Sequence, residues 1–148
     1  MPFFYPNLPS IIGHRGAYNS APENTLIAFR KAAQLGARWV EIDVRLSSDK
    51  VPVIFHDNEV NRTTNGQGPV GSFTLKSLKK LDAGSYYHTD FSREKIPTLS
   101  ETISLCIELN LGINIEIKPN YGQAAETVTA VLTIINRFQK QLKGNVLF

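Results

Sequence analysis

Trp39-Val40-Glu41-Ile42-Asp43-Val44 alternates apolar and acidic residues, and the remaining elements are placed with respect to it. A strict period of two is the pattern of a half-buried strand. Val40, Ile42 and Val44 face one way, and Glu41 and Asp43 the other. Neighbouring carboxylates on one face repel each other, and burial penalises their ionised forms. A hard divalent cation, Mg²⁺ or Ca²⁺, relieves both costs because it prefers carboxylate oxygens. Residues 113–118 repeat the pattern, with Ile113, Ile115 and Ile117 on one face and Asn114, Glu116 and Lys118 on the other. If the two polar faces meet, three carboxylates and one ammonium converge. The plainer alternative is a pair of half-exposed strands with solvated charges.

On the N-terminal side, Pro2, Pro6 and Pro9 mark an irregular arm over residues 1–10, whose aromatics Phe3, Phe4 and Tyr5 are expected to pack on the body. Ile11 and Ile12 are expected to start a short strand leading into Gly13-His14-Arg15-Gly16, where flanking glycines let the backbone approach a ligand. Arg15 carries a planar fork suited to phosphate or carboxylate; a solvated His-Arg pair is the alternative. Glu23-Asn24-Thr25 opens a helix through Leu26, Phe29 and Ala33, capped by Asn24 or Thr25 and ended by Gly36.

On the C-terminal side, Ser47–Lys50 is too short for a parallel crossover, so residues 51–56 should pair back as a hairpin. A turn centred between Ser48 and Asp49 sets Glu41 opposite His56 and Asp43 opposite Ile54, bringing His56 to the acidic face. Residues 57–97 form a long, less regular stretch, with a short helix at Leu75, Leu78 and Leu81 capped by Thr74. Stretches of this length inside a domain are usually functional. Thr98 and Glu101 have capping-box spacing and open a helix that stops near Gly112. Residues 123–142 form a long helix with Val128, Val131, Leu132, Ile135, Phe138 and Leu142 on one side. Gly144 breaks it, and 145–148 start a strand. Strands alternating with helices indicate parallel βα units.

The 148 residues fit one domain; 42% hydrophobic and 20% charged residues indicate a globular rather than disordered chain. A net charge of +3 suits an anionic small molecule, while the scattered Lys and Arg give no nucleic-acid stripe. Cys106 is the single cysteine, which excludes an intrachain disulfide and a thiolate zinc site and places a buried thiol in an apolar run. The N-terminus lacks the form of a secretory signal and no run has membrane-span length, so a cytoplasmic location without an integral membrane segment is expected. His88 is assigned no carboxylate partner and is expected at the surface.

His14, Arg15, Glu41, Asp43, His56, Glu116 and Lys118 all fall at or near strand ends, where βα folds place their chemistry. Two histidines serve as acid and base near neutral pH, three carboxylates hold a divalent cation, and Arg15 and Lys118 neutralise phosphate. Together they are the groups that phosphodiester cleavage needs.

At these residues the chain resembles the glycerophosphodiester phosphodiesterases. The matching stretches are Ile-Gly-His-Arg-Gly (12–16), Pro-Glu-Asn-Thr (22–25), Val-Glu-Ile-Asp-Val (40–44), Val-Pro-Val-Ile-Phe-His-Asp (51–57), Arg-Thr-Thr-Asn-Gly (62–66), Ile-Pro-Thr-Leu (96–99) and Ile-Glu-Ile-Lys-Pro (115–119). The resemblance implies an α/β fold, a TIM-type (β/α) barrel. It implies hydrolysis of glycerophosphodiesters to sn-glycerol 3-phosphate and an alcohol, in glycerophospholipid breakdown. It assigns Glu41, Asp43 and Glu116 to a Mg²⁺ or Ca²⁺ ion, His14 and His56 to acid-base catalysis, and Arg15 and Lys118 to the phosphate. Glu23 and Asn24 support them, and 57–97 matches the family's insertion beside the glycerol site. It further implies attack on phosphorus by a glycerol hydroxyl, followed by opening of the cyclic phosphate by water.

A TIM barrel takes eight strands and typically about 250 residues. Residues 11–148 are therefore expected to be an N-terminal portion, with about five of the eight strands. A second copy or a complementing chain would complete the wall. The competing expectations are a catalytically inactive fragment and a related barrel phospholipase; the insertion and Ile-Glu-Ile-Lys-Pro argue against the latter.

Overall fold

The structure is a computed structural model and describes residues 9–148, so the expected packing of Phe3, Phe4 and Tyr5 lies outside the described residues. In chain order these residues form α1 (Leu26–Gln34), β1 (Trp39–Leu46), β2 (Pro52–Ile54), α2 (Leu75–Leu78), α3 (Leu99–Glu108), β3 (Gly112–Ile117), α4 (Ala124–Leu142) and β4 (Val146–Leu147). Local chemistry sets the helix starts. The Thr25 hydroxyl accepts the Ala28 N–H, the Thr74 hydroxyl accepts the Ser77 N–H, and Thr98 and Glu101 close a reciprocal capping box.

The strands form one sheet in the order β2-β1-β3-β4. β1 and β3 are parallel with Asp43 beside Glu116 and Glu41 beside Asn114, and β3 and β4 are parallel with Ile113 beside Val146. The helical crossovers between parallel neighbours are those of βα units. The expected strand at Ile11–Ile12 shrinks to a single parallel bridge between Gly13 and Val40, and Ile11 is 74% exposed. That bridge is nevertheless firm: Gly13 N–H donates to Trp39 O at 2.9 Å and Glu41 N–H donates to Gly13 O at 2.8 Å.

The hairpin differs from expectation by one residue. Val44 pairs with Ile54 and Leu46 with Pro52, so the turn centres on Asp49. Ser47 and Val51 close a three-residue loop whose last member, Lys50, takes φ 63°, the left-handed residue such loops use. Asp43 therefore lies opposite Phe55, whose N–H donates to Asp43 O at 2.9 Å. β2 ends at Ile54, and His56 is outside the ladder.

Val40, Ile42, Val44, Ile113 and Ile115 pack against Phe29 of α1, Ile103 and Cys106 of α3 and Val131 of α4. The apolar faces of both alternating strands are thus covered by helices, which leaves their acidic faces for the site. In α4, Val131, Ile135, Phe138 and Leu142 face the core as expected, but Val128 and Leu132 are 40% and 42% exposed. Buried Thr127 takes the inward position instead, its hydroxyl satisfied by Gln123 O at 2.7 Å. The segment 57–97 packs Val60, Val70, Leu78 and Ile96 onto Val53 of β2 and Phe55 just beyond it, so it is a packed wall beside the sheet. Gly16 and Gly112 each mark a close approach that bears on the sheet or on the loop before α1. Gly16 has φ 87°, and a Cβ there would lie 2.8 Å from Ala28; at Gly112 a Cβ would lie 2.3 Å from the Trp39 ring. Among the described residues no helix is long and apolar enough to cross a membrane.

Candidate active site

β1 and β3 bring the acidic residues together because their parallel register sets Asp43 against Glu116, with Glu41 two residues back on the same face. Glu41, Asp43 and Glu116 each present a carboxylate oxygen within 4.8 Å of the others. Asp43 is fully buried, Glu41 half-buried and Glu116 exposed. Glu41 Oε1 and Asp43 Oδ1 are buried without a hydrogen-bond partner. Burial, then the charge of Asp43, pushes the Glu41 carboxyl up to about 7. Glu116 is held below the usual range, chiefly by its hydrogen bond with Lys118. Two orphaned carboxylate oxygens beside a third carboxylate are what an oxygen-preferring divalent cation fits.

Cations and an amide surround this group. Lys118 Nζ stands 2.7 Å from Glu116 Oε1 and 3.6 Å from Asp43 Oδ1. Arg15 donates its backbone N–H to Glu41 Oε2 at 3.0 Å and Nη1 to Glu23 Oε1 at 2.9 Å, and its Nε lies 3.4 Å from Asp43 Oδ2. The left-handed backbone at Arg15, φ 52°, turns both its N–H and its side chain toward the carboxylates. Asn24, also left-handed at φ 55°, donates Nδ2 to Asp43 Oδ2 at 2.8 Å and accepts Asp43 N–H at 3.4 Å. The Asn24 amide thus orients Asp43 while Thr25 takes the helix cap, which divides the two roles that the sequence left open.

His14 is 56% exposed at its side chain, with Nε2 3.8 Å from Glu41 Oε2 and its ring edge-on to Tyr18. His56 does not reach Glu41 by the expected cross-strand pairing, because the register is one residue different. It joins the site from the chain leaving β2. Arg45 Nε donates to the His56 carbonyl at 2.9 Å, and the ring Nδ1 lies 2.6 Å from Asp57 Oδ1. Hydrogen bonding from Arg62, and then from His56, holds the Asp57 carboxyl down at about 2 despite partial burial. An ionised carboxylate only accepts, so His56 Nδ1 carries the hydrogen, and in the neutral ring Nε2 is then the acceptor.

Pattern and spacing assign no role to Asp57, Arg45, Arg62 or Tyr86. Arg62 bridges Asp57 and Glu23, and the Tyr86 hydroxyl accepts the Glu23 N–H at 2.8 Å. Asp57 and Arg62 stand in two of the quoted stretches, but Arg62 meets Glu23 across 39 positions, which no local pattern reveals. Tyr86 meets Glu23 across 63. His88 is exposed as expected, but it does have a carboxylate neighbour: its Nδ1 lies 3.4 Å from Asp90 Oδ2.

Parallel βα units carrying a cluster of three carboxylates that could hold a cation, flanked by an arginine and a lysine, define an α/β protein. Comparison with known proteins narrows the class. The chain belongs to the glycerophosphoryl diester phosphodiesterase family, whose sequence model matches residues 14–148. It is 48% identical over 108 residues to a glycerophosphodiester phosphodiesterase of Caldanaerobacter subterraneus, a match covering 73% of this chain and 44% of that one. It is 43% identical over 121 residues to human glycerophosphodiester phosphodiesterase 1, covering 80% and 37%. The structure of an Oleispira antarctica phosphodiesterase in complex with its product sn-glycerol-3-phosphate superposes with TM-score 0.88 at 45% identity, over 90% of this chain and 54% of that one. The chain spans about half the length of these relatives, or less.

Proposed function

We propose that this chain carries the catalytic face of a glycerophosphodiester phosphodiesterase, hydrolysing glycerophosphodiesters to sn-glycerol 3-phosphate and an alcohol with a divalent cation. The observation that carries the proposal is the convergence of Glu41, Asp43 and Glu116, two of them with orphaned buried oxygens, between Arg15 and Lys118. Family membership supports the choice of phosphodiester, and the product bound to the Oleispira relative supports the glycerol phosphate half.

Glu41, Asp43 and Glu116 would hold the Mg²⁺ or Ca²⁺ ion, which when bound supplies positive charge against the phosphate. Arg15 and Lys118 are preorganised donors for the phosphate oxygens, since other side chains already fix both. His56, with Nδ1 committed to Asp57, offers Nε2 to take the proton of the attacking glycerol hydroxyl. His14 protonates the departing alcohol oxygen. Water then opens the cyclic phosphate with the same pair in exchanged roles. The wall formed by 57–97 flanks the glycerol end of the substrate. The strands correspond to an N-terminal portion of a TIM-type barrel, whose wall a second copy or a complementing chain would complete.

The test is product identity. Glycerophosphocholine, glycerophosphoethanolamine and glycerophosphoinositol are each incubated with the chain and Mg²⁺ or Ca²⁺ and followed by phosphorus NMR. Release of sn-glycerol 3-phosphate from them is expected. Choline phosphate or inositol phosphates as products would place the cut on the other side of phosphorus and refute the assignment.

A further inference from the structure

The Arg62 side chain is half-exposed, and exposed ion pairs contribute only about 0–1 kcal/mol to stability. Its geometry is far more specific than stability requires. Nε donates to Asp57 Oδ2 at 2.6 Å and Nη2 to Asp57 Oδ1 at 3.0 Å. Nη1 donates to Glu23 Oε2 at 2.8 Å and Nη2 to Glu23 Oε1 at 2.7 Å. One guanidinium therefore makes two bidentate forks to two carboxylates, a task that its planar set of donors performs and a lysine ammonium does not.

Each of those carboxylates has a second duty. Asp57 Oδ1 receives the His56 ring at 2.6 Å, and Glu23 Oε1 receives Arg15 Nη1 at 2.9 Å. Both flanks of the clamp are anchored. The Glu23 N–H is fixed by the Tyr86 hydroxyl, and the His56 carbonyl by Arg45. The Arg45 contact fixes only the His56 backbone, so the rotation of the ring is set by Asp57 among the described residues.

We propose that Arg62 is a positioning residue of the phosphodiester site: it holds Asp57 and Glu23 together and thereby sets the His56 ring against the Arg15 guanidinium. This inference rests on the roles given above to His56 and Arg15. It links the wall at 57–97 to the loop before α1, so the group that moves the proton and the group that binds the phosphate are held by one side chain. Arg62 itself touches none of Glu41, Asp43 or Glu116 and reaches them only through Glu23 and Arg15.

Arg62→Lys and Arg62→Ala are compared with the unaltered chain; the lysine variant keeps the charge and loses the fork. With glycerophosphocholine and Mg²⁺, kcat is expected to fall about 10- to 100-fold in both, as for other groups that orient a reacting side chain. Mg²⁺ affinity by calorimetry is expected to stay within twofold. An independent readout is the His56 Nδ1–H resonance, assigned by substituting the three histidines in turn. It is expected at low field and slow to exchange in the unaltered chain, and shifted and at least tenfold faster to exchange in Arg62→Lys. A folded Arg62→Lys chain with unchanged His56 resonance, or with kcat within twofold, overturns the proposal. The resonance needs no turnover. An unaltered chain that hydrolyses nothing, while the resonance still depends on Arg62, would sink the functional assignment and leave the clamp standing.

Discussion

Glu41→Gln should make the metal-free protein more stable at pH 8. The Glu41 carboxyl is pushed from 4.5 up to about 7 by burial and by Asp43, and its side chain retains 12% exposure. At about 1.36 kcal/mol per pKa unit, ionising it in the folded state costs about 3 kcal/mol once the pH is above 7. The sign follows from proton counting. Between pH 4.5 and 7 the folded chain holds this proton more tightly than the unfolded chain, so stability falls as pH rises through that window. The penalty is absent below 4.5 and complete above 7. Glutamine never ionises, and its carbonyl can still accept the Arg15 N–H that Glu41 Oε2 accepts at 3.0 Å. Urea unfolding followed by circular dichroism in EDTA should therefore show the variant ahead by about 2–3 kcal/mol at pH 8 and level at pH 4.5. Added Mg²⁺ or Ca²⁺ closes that gap. A cation at a hundred times its Kd stabilises the unaltered chain by about 2.7 kcal/mol, and the variant has lost one carboxylate ligand. A variant less stable than its parent in EDTA at pH 8, or a parent that gains nothing from either cation, would refute the reasoning.

Gly16→Ala places a Cβ 2.8 Å from Ala28 at φ 87° and should cost about 2–4 kcal/mol in urea unfolding; a neutral change would contradict the close approach. Burial raises the Cys106 thiol to about 12, so it should resist a thiol reagent at pH 8 while the chain is folded and react fully in urea. Asp57, held at about 2 against an ordinary 3.8, contributes stability above pH 4 that is lost as pH falls through 2. With solvent screening of this partly exposed group, that contribution is on the order of 1 kcal/mol. Asp57→Asn should accordingly flatten the acid limb of stability, and an identical limb would show that the carboxylate is not held.

Much of the architecture was legible because alternation is written locally. Trp39–Leu46 is the strand its period of two predicts, and the register with β3 brings Glu41, Asp43 and Glu116 together. The caps at Thr74 and Thr98 followed from hydroxyl placement, and buried Cys106 from its apolar setting. What failed depended on context. The β1–β2 turn accepts Lys50 in a left-handed conformation that a lysine does not advertise, which shifts the hairpin by one and removes His56 from the expected pairing. Ile11 and Ile12 have strand chemistry, yet only the Gly13 bridge forms. In α4 the inward position fell to Thr127, whose hydroxyl bonds its own helix, because the stripe that meets the sheet is offset from Val128 and Leu132. The site's supports were legible only as residues. Asp57 and Arg62 were visible, but the contact of Arg62 with Glu23 belongs to the tertiary fold.

The central claim is that the three carboxylates and their flanking cations form a cation-dependent phosphodiesterase site. Its most direct test is release of sn-glycerol 3-phosphate from glycerophosphocholine by sizing-column fractions of the chain, first in EDTA and then with excess Mg²⁺ or Ca²⁺. The account predicts no release in chelator, recovery on cation addition in a fraction containing the folded chain, and none from Glu41→Ala under any condition. Release that survives EDTA, or equal release by Glu41→Ala, would contradict it.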